Sequence, residues 1–257
     1  MKVSIICPCY NSEKYIRQTL DSIFAQTEQD FEILIVDDNS KDDSIKIIET
    51  YKDKRIRLFR NTENKGAAYC RNLALVNAKG DYIAFLDSDD LWTSEKLNKQ
   101  IDFMIKNKIS FSYTNYEEID DNENRLNRLI TGPKKITHRG FNRMCYPGCL
   151  TVMYKRDIYP DLQIPNNLPK NNDYAMWLML SMKADCYLLN ENLAQYRKHN
   201  KGSISSGRKT NLFKYHIDLY KKVYGFGYFR AFLYSIRNVF FYFVKRVRYI
   251  KKIRVQK

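Results

Sequence analysis

Five aspartates carry most of the chemistry this sequence can offer. They stand in two short runs, Asp37-Asp38 in VDDNS (36–40) and Asp87-Ser88-Asp89-Asp90 in LDSDD (86–90). Each run follows an apolar stretch of strand type, and a third such stretch runs out into Pro8-Cys9-Tyr10-Asn11. In an open parallel sheet, ligands bind outside the carboxyl ends of the strands, and these residues fall at such ends. Five carboxylates gathered there repel one another unless a cation is present. Carboxylate oxygens suit hard divalent ions such as Mn²⁺ or Mg²⁺. For Asp42 and Asp43 a plainer reading holds, that of carboxylates capping the next helix. Asp87 and Asp89 together read as a metal-bridged diphosphate site, because the glycine loops that otherwise cradle phosphate are missing. No GxxxxGK occurs, and Gly225-Phe226-Gly227 is followed by Arg230 where a dinucleotide fingerprint needs Gly or Ala.

The elements that must hold these residues follow from periodicity. Residues 2–9, 31–36, 56–60 and 82–86 read as buried parallel strands. Helical stretches separate them. The first runs from about Ser12, with Tyr15, Ile16, Leu20, Ile23 and Phe24 on one face. The second follows a cap in Ser40–Asp42, the third lies between Gly66 and Gly80, and the fourth begins near Thr93–Ser94. Strand and helix alternating at this rhythm predict an α/β fold, a mostly parallel Rossmann-like sheet with helices on both faces. Beyond residue 115 the pattern loosens. Residues 116–124 read as an acidic loop, 149–155 as a strand, 173–183 as a helix led by Asp173, and 200–209 as a flexible basic loop.

Composition excludes several classes. With 257 residues, 44% of them hydrophobic, the chain can bury a full core, and nine Gly with six Pro rule out a fibrous or disordered one. The longest stretch free of Lys, Arg, Asp and Glu, 144–154, is eleven residues. A bilayer span needs roughly 20. The first residues lack a small-residue cleavage site and read as a strand rather than a signal peptide. Cys7, Cys9, Cys70, Cys145, Cys149 and Cys186 form no CxxC and read as reduced, packed side chains. The net charge of +15 is not spread evenly. Residues 197–257 hold seventeen Lys and Arg against the single acid Asp218, whereas 1–196 hold 27 bases and 28 acids. A nucleic-acid groove would lie in the folded body, which is neutral, so charge placement argues against a nucleic-acid-binding protein.

The motifs CPCYN (7–11), VDDNS (36–40), NKGAAYCRN (64–72), DYIAFLDSDD (81–90), NDYAMWLML (172–180) and YRKHNKGSIS (196–205) stand in an order that resembles family 2 glycosyltransferases with the GT-A fold. The resemblance covers about 1–205. It implies a GT-A catalytic domain over 1–205, with a nucleotide-binding half (1–114) and an acceptor half (115–205), followed by a helical tail (206–257). By the same resemblance, Pro8, Tyr10, Asn11, Asp37 and Asp38 surround the nucleotide base and ribose. Lys65, Gly66 and Arg71 line that pocket, Asp87, Ser88 and Asp89 form the DxD segment, and Asp173 matches the general base. Of Asp87 and Asp89, the resemblance turns one toward the ribose or the metal and the other onto the metal, with Asp87 and Ser88 also against the nucleotide sugar. Asn172 departs from the family, which commonly has Glu or Asp there. His199, beside Arg197 and Ser203, matches a late His that completes the metal shell, with a nearby Arg or Lys on the diphosphate. His138 and His216 read as surface or packing residues.

The implied reaction follows from residue types. A metal on Asp89 neutralises the leaving diphosphate as a Lewis acid, and Asp173 takes the proton of the attacking hydroxyl. One base and one displacement predict an inverting transfer from a nucleotide-diphosphate sugar, a UDP-sugar, to a saccharide or lipid-linked acceptor in cell-surface polysaccharide synthesis. A metal-dependent nucleotidyltransferase is the rival, and it would need a strongly basic pocket in the body. The tail predicts a further partner. Between 210 and 257 an apolar stripe (Phe229, Phe232, Leu233, Ile236, Val239, Phe240, Phe243, Val247, Ile250) is interspersed with Lys and Arg, as in helices that lie on an anionic membrane. The alternative is that it packs on the body or on a second copy of the chain. The expected location is cytoplasmic, peripheral to the inner face of the cell membrane.

Overall fold

The structure is a computed structural model and describes residues 3–165, 168, 170–199 and 212–253. The first half alternates as the periodicity requires: β1 (Val3–Cys9), α1 (Ile16–Phe24), β2 (Phe31–Asp37), α2 (Ser44–Thr50), β3 (Ile56–Arg60), α3 (Ala67–Asn77) and β4 (Tyr82–Phe85). There follow β5 (Leu91–Trp92), α4 (Lys96–Lys106), β6 (Phe111–Ile119), β7 (Arg125–Ile130), β8 (Lys135–Ile136), α5 (His138–Phe141) and β9 (Met153–Lys155). The chain continues through α6 (Asn172–Ser181), β10 (Cys186–Arg197), α7 (Leu212–Tyr224), α8 (Tyr228–Arg248) and β11 (Ile250–Lys252).

The sheet runs β11-β7-β6-β9-β4-β1-β2-β3. Strands β3, β2, β1 and β4 are mutually parallel, so their carboxyl ends share one edge, with Cys9 opposite Asp37 and Ile6 opposite Phe85. Strand β9 enters antiparallel between β4 and β6. Alternation along β1 divides the core into two layers. Val3, Ile5, Cys7 and Cys9 face the layer of α1, α2 and α4, while Ile6 faces that of α3, α6, α7 and α8. Helix α6 is apolar almost all round and buries Tyr174, Met176, Trp177, Leu178 and Leu180. Trp177 is fully buried, edge-on to Phe85 at 5.3 Å. Replacing it with Ala would cost about 3–5 kcal/mol, so the first turn of α6 stands on a rigid support.

Two expectations fail in instructive ways. Residues 116–119 belong to β6 rather than to an acidic loop. Glu117 is buried in that strand because Gln195 donates to it at 2.8 Å and Arg125 lies 3.5 Å away. Residues 149–151 form a 3-10 turn before the short β9. The expected loop at 200–209 lies outside the described residues. The cysteines are all free, five buried and Cys145 half-buried.

The basic C-terminal segment joins the fold through one face. On α8, Ala231, Ser235 and Asn238 are buried, and Asn238 Nδ2 donates to the Tyr174 hydroxyl at 2.9 Å. Lys245 Nζ donates to the carbonyls of Cys145 and Tyr146 at 2.9 and 3.2 Å. Strand β11 pairs with β7, Ile250 opposite Ile130.

Candidate active site

The three strand ends meet as expected. Asp38 is buried and engages both carboxylate oxygens with its own chain. Oδ1 accepts from Asn61 Nδ2 and the Lys65 amide, both at 2.8 Å, and Oδ2 accepts from the Gly66 amide at 2.7 Å. Gly66 sits at φ +84°, ψ 160° before α3, a backbone region that side chains avoid. Asp38 therefore shapes the loop that leads into α3. Asp37 is buried too. Its Oδ2 accepts from the Ser40 amide at 3.1 Å, while Oδ1 has no partner among the described residues. A buried acceptor of this kind calls for a donor.

Around these, Pro8 lies on β1 opposite Val36, and Tyr10 is 49% exposed beyond the strand. Asn11, at φ +49°, accepts from the Lys41 amide at 2.8 Å. Ser88 shares a hydroxyl contact of 2.6 Å with Ser12, joining the ends of β1 and β4. The Lys65 ammonium lies 4.8 Å from the Tyr69 ring.

Arg71 is the centre of the arrangement. Buried on α3, it forms an ion pair with Asp87 through Nη2 and donates to Asn172 Oδ1 through Nη1. One guanidinium thus ties the end of β4 to the start of α6, next to Asp173. Burial opposes the charge on Arg71, but Asp87, with Asp173 further off, keeps it firmly protonated. Burial also raises the Asp87 pKa, against the pull of Arg71 and with the help of Asp89 and Asp173. Asp173 stands in the first turn of α6, where the helix favours negative charge. Its Oδ1 accepts from the Tyr174 amide at 2.8 Å.

A second chain of contacts starts at Asp89. Its Oδ2 lies 2.8 Å from His199 Nε2, and His199 Nδ1 lies 2.6 Å from Asp121 Oδ1, which also accepts from the Tyr15 hydroxyl at 3.0 Å. The contact with Asp89 raises the His199 pKa, against partial burial and with the help of Asp121.

The comparisons bear on this geometry. Residues 4–162 match the profile described as Glycosyl transferase family 2. A Bacillus subtilis (strain 168) glycosyltransferase named for teichuronic acid biosynthesis, TuaG, is 41% identical over 80% of this chain and 82% of its own. The Escherichia coli UDP-Glc:alpha-D-GlcNAc-diphosphoundecaprenol beta-1,3-glucosyltransferase WfgD is 43% identical over 69% of each chain. The chain belongs to glycosyltransferase family 2. Its fold is GT-A: the crystal structure of S. aureus TarS 1–349 with UDP-GlcNAc superposes with a TM-score of 0.71 at 22% identity, covering 93% of this chain and 72% of that one.

In this glycosyltransferase no three His, Cys, Asp or Glu side chains among the described residues are grouped as a finished metal shell. The donor chemistry nevertheless fits a divalent ion. A carboxylate and an imidazole converge at Asp89 and His199, and Asp121 holds the other ring nitrogen, the arrangement that orients metal-ligating histidines. Asp87, within electrostatic reach of Asp89, is engaged by Arg71.

Sequence reasoning missed Asp121 and the structural roles of Asp90 and Arg197. Asp121 lay in what read as a loop. Asp90 is buried and accepts from the Arg197 amide at 2.9 Å; burial, then Asp89 and Asp87, push its pKa well up. Arg197, expected near the diphosphate, is instead buried and structural. It donates to the carbonyls of Asp89, Asp120 and Asp121 and to Gln18, which fixes the 87–90 segment against the 120–121 turn. The signal was present in the motif YRKH, whose Arg sits at the last position of a strand.

Proposed function

We propose that this glycosyltransferase moves a hexosyl or N-acetylhexosaminyl group from a UDP-sugar, with inversion, to a saccharide on a lipid-linked acceptor, in the building of a cell-surface polysaccharide. The observation that carries the reading is Arg71 bridging Asp87 and Asn172, which joins the donor side of the sheet to the first turn of α6. The names of two relatives support the finer terms, one through teichuronic acid and the other through UDP-Glc and a diphosphoundecaprenol acceptor.

Asp37 Oδ1, unpartnered among the described residues, is an acceptor for a base N–H, with Pro8, Tyr10, Asn11, Lys65 and Gly66 about the nucleoside and Asp38 shaping the loop. Ser88 and Asp87 border the ribose and diphosphate. Mn²⁺ or Mg²⁺ would be held by Asp89 and His199, with Asp87 alongside, and when bound supplies Lewis-acid neutralisation of the leaving diphosphate. Asp173 takes the proton of the acceptor hydroxyl. That oxygen bonds to the anomeric carbon from the face opposite the diphosphate, whose bond to the same carbon breaks. A single displacement inverts the centre.

The working division is a donor half over 1–114, an acceptor half over 115–205 and a C-terminal segment that meets an anionic membrane on its cytoplasmic face through 210–257. A second copy of the chain is a further candidate partner. The experiment is a panel of nucleotide sugars with a lipid-linked GlcNAc acceptor, with and without EDTA, and NMR of the product's anomeric configuration. Transfer only from UDP-sugars, lost in EDTA and inverted, supports the proposal. A retained configuration, or full turnover in EDTA, overturns it.

A further inference from the structure

Helix α8 has two faces of opposite character. Ala231, Ser235 and Asn238 lock it to the body. Facing away, Phe229, Leu233, Ile236, Phe240, Phe243 and Val247 follow one another at steps of four and three residues and are between 48% and 88% exposed. At about 100° per residue these six fall within a strip roughly 80° wide. On the same wheel Arg230, Arg237 and Arg248 line one edge of the strip and Arg246 the other. Soluble monomers rarely leave so continuous an apolar surface in water.

Charge decides what covers it. From Leu219 to Lys257 the sequence carries eleven Lys and Arg and no Asp or Glu. A second α8 laid on the strip would bring arginine rows together with no acidic side chain on either helix to pair them, the reverse of a stable helix pair. An anionic bilayer satisfies both features, taking the apolar strip at the acyl boundary and the arginines at the phosphates. No helix among the described residues is long and apolar enough to cross a membrane.

The arginine edge opens into a cavity of about 440 Å³ lined by Arg139, Arg230, Arg237, Phe226 and Tyr234, among others. Arg230 stacks on Phe226 at 3.9 Å and Arg237 on Tyr234 at 4.3 Å. Among the described residues no carboxylate pairs with these three arginines. Arg230 and Arg237, each held over a ring, with Arg139 beside them and no such carboxylate partner, suit a phosphate.

We propose that α8 is a membrane-docking helix whose apolar strip enters the interface of an anionic bilayer while Arg139, Arg230 and Arg237 take a phospholipid phosphate. The inference rests on the proposed work at a membrane and names the surface and the headgroup chemistry involved. The test is co-sedimentation of the full chain with vesicles of phosphatidylcholine alone or mixed two to one with phosphatidylglycerol. The wild type should pellet at least tenfold more with the mixed vesicles. Phe229→Ser/Phe240→Ser/Phe243→Ser should lose at least tenfold of that binding, and Arg139→Gln/Arg230→Gln most of the preference for phosphatidylglycerol. Both sets lie away from the donor site, so UDP affinity measured in parallel should not change; if it is lost in the wild type, the donor reading fails while the docking result stands. Should the triple variant not fold, Val247→Trp in the full chain replaces it, with the emission of the introduced indole moving to the blue on mixed vesicles only. Equal pelleting with both vesicle types, wild-type behaviour of the triple variant, or an unmoved emission from the Val247→Trp variant overturns the proposal. So does a dimer that the triple variant loses and that ignores vesicles.

Discussion

Arg71 on α3 donates to Asn172 at the start of α6, across 101 residues of sequence. The same guanidinium holds Asp87. Asn172 occupies the position where family 2 enzymes commonly carry an acid, and here its amide oxygen serves as the acceptor. The neutral side chain keeps the anchor while leaving Asp87 the only acid bonded to Arg71 among the described residues. The placement of Asp173 therefore depends on a residue of α3.

Removing either end of this link should separate stability from catalysis. Arg71→Met strands Asp87, which keeps only 33% of its side chain exposed, and should cost about 3 kcal/mol of stability together with most donor affinity. Asn172→Ala leaves one guanidinium N–H unmet and should cost about 1 kcal/mol, with kcat falling about tenfold. Urea melts of the two single variants and the double variant measure the coupling. Strict additivity would mean that the observed contact carries no energy.

Asp173→Asn tests the base. The side chain is isosteric and stays in the first turn of α6, so UDP affinity should hold within about twofold while kcat falls by about 10²–10⁴. Isothermal titration of UDP beside steady-state kinetics gives the split. A parallel loss of both would make Asp173 a structural helix-end charge.

Asp121 offers a sharper test of the metal reading than its ligands do. It touches the ring nitrogen of His199 that faces away from Asp89. Asp121→Asn should weaken Mn²⁺-dependent UDP binding by about 10–100-fold, as losses of such supporting carboxylates do, and leave metal-free UDP binding unchanged. An unchanged Mn²⁺ dependence would remove His199 from the metal site.

The parallel half of the fold was legible because buried strands and amphipathic helices leave strong periodic signals. VDDNS and LDSDD fell where strands ended, and the structure brings them together. The second half was harder to read for a physical reason. Glu117 is an acid inside a strand, tolerated because Gln195 and Arg125 meet it, and no pattern of polarity reveals partners so distant in sequence. Arg197 misled in the opposite direction. A basic residue beside His199 reads as a phosphate ligand, yet its donors are consumed by carbonyls that only the fold brings near. The apolar residues of α8 were visible in sequence. The division between a packed face carrying Asn238 and Lys245 and an outward strip was not, because Tyr174 and the carbonyls of Cys145 and Tyr146 arrive from other elements.

His216 on α7 makes stability depend on pH in a direction that can be worked out. Burial lowers its pKa from the ordinary 6.5 to about 4, and its Nδ1 is buried without a partner among the described residues. The unfolded chain then binds a proton between about pH 6.5 and 4 that the folded chain refuses. The stabilisation from a neutral His216 is complete above pH 6.5 and is lost as pH falls towards 4, by at most about 3 kcal/mol. Burial lowers the His138 pKa in the same sense, while His199 shifts the opposite way, so the wild-type curve alone mixes the three. The difference between wild type and His216→Gln isolates it. Urea unfolding from pH 7.5 to 4.5 should show the wild type losing stability faster than the variant as pH falls below 6.5. Parallel curves would mean that protonated His216 finds a partner or water in the folded chain.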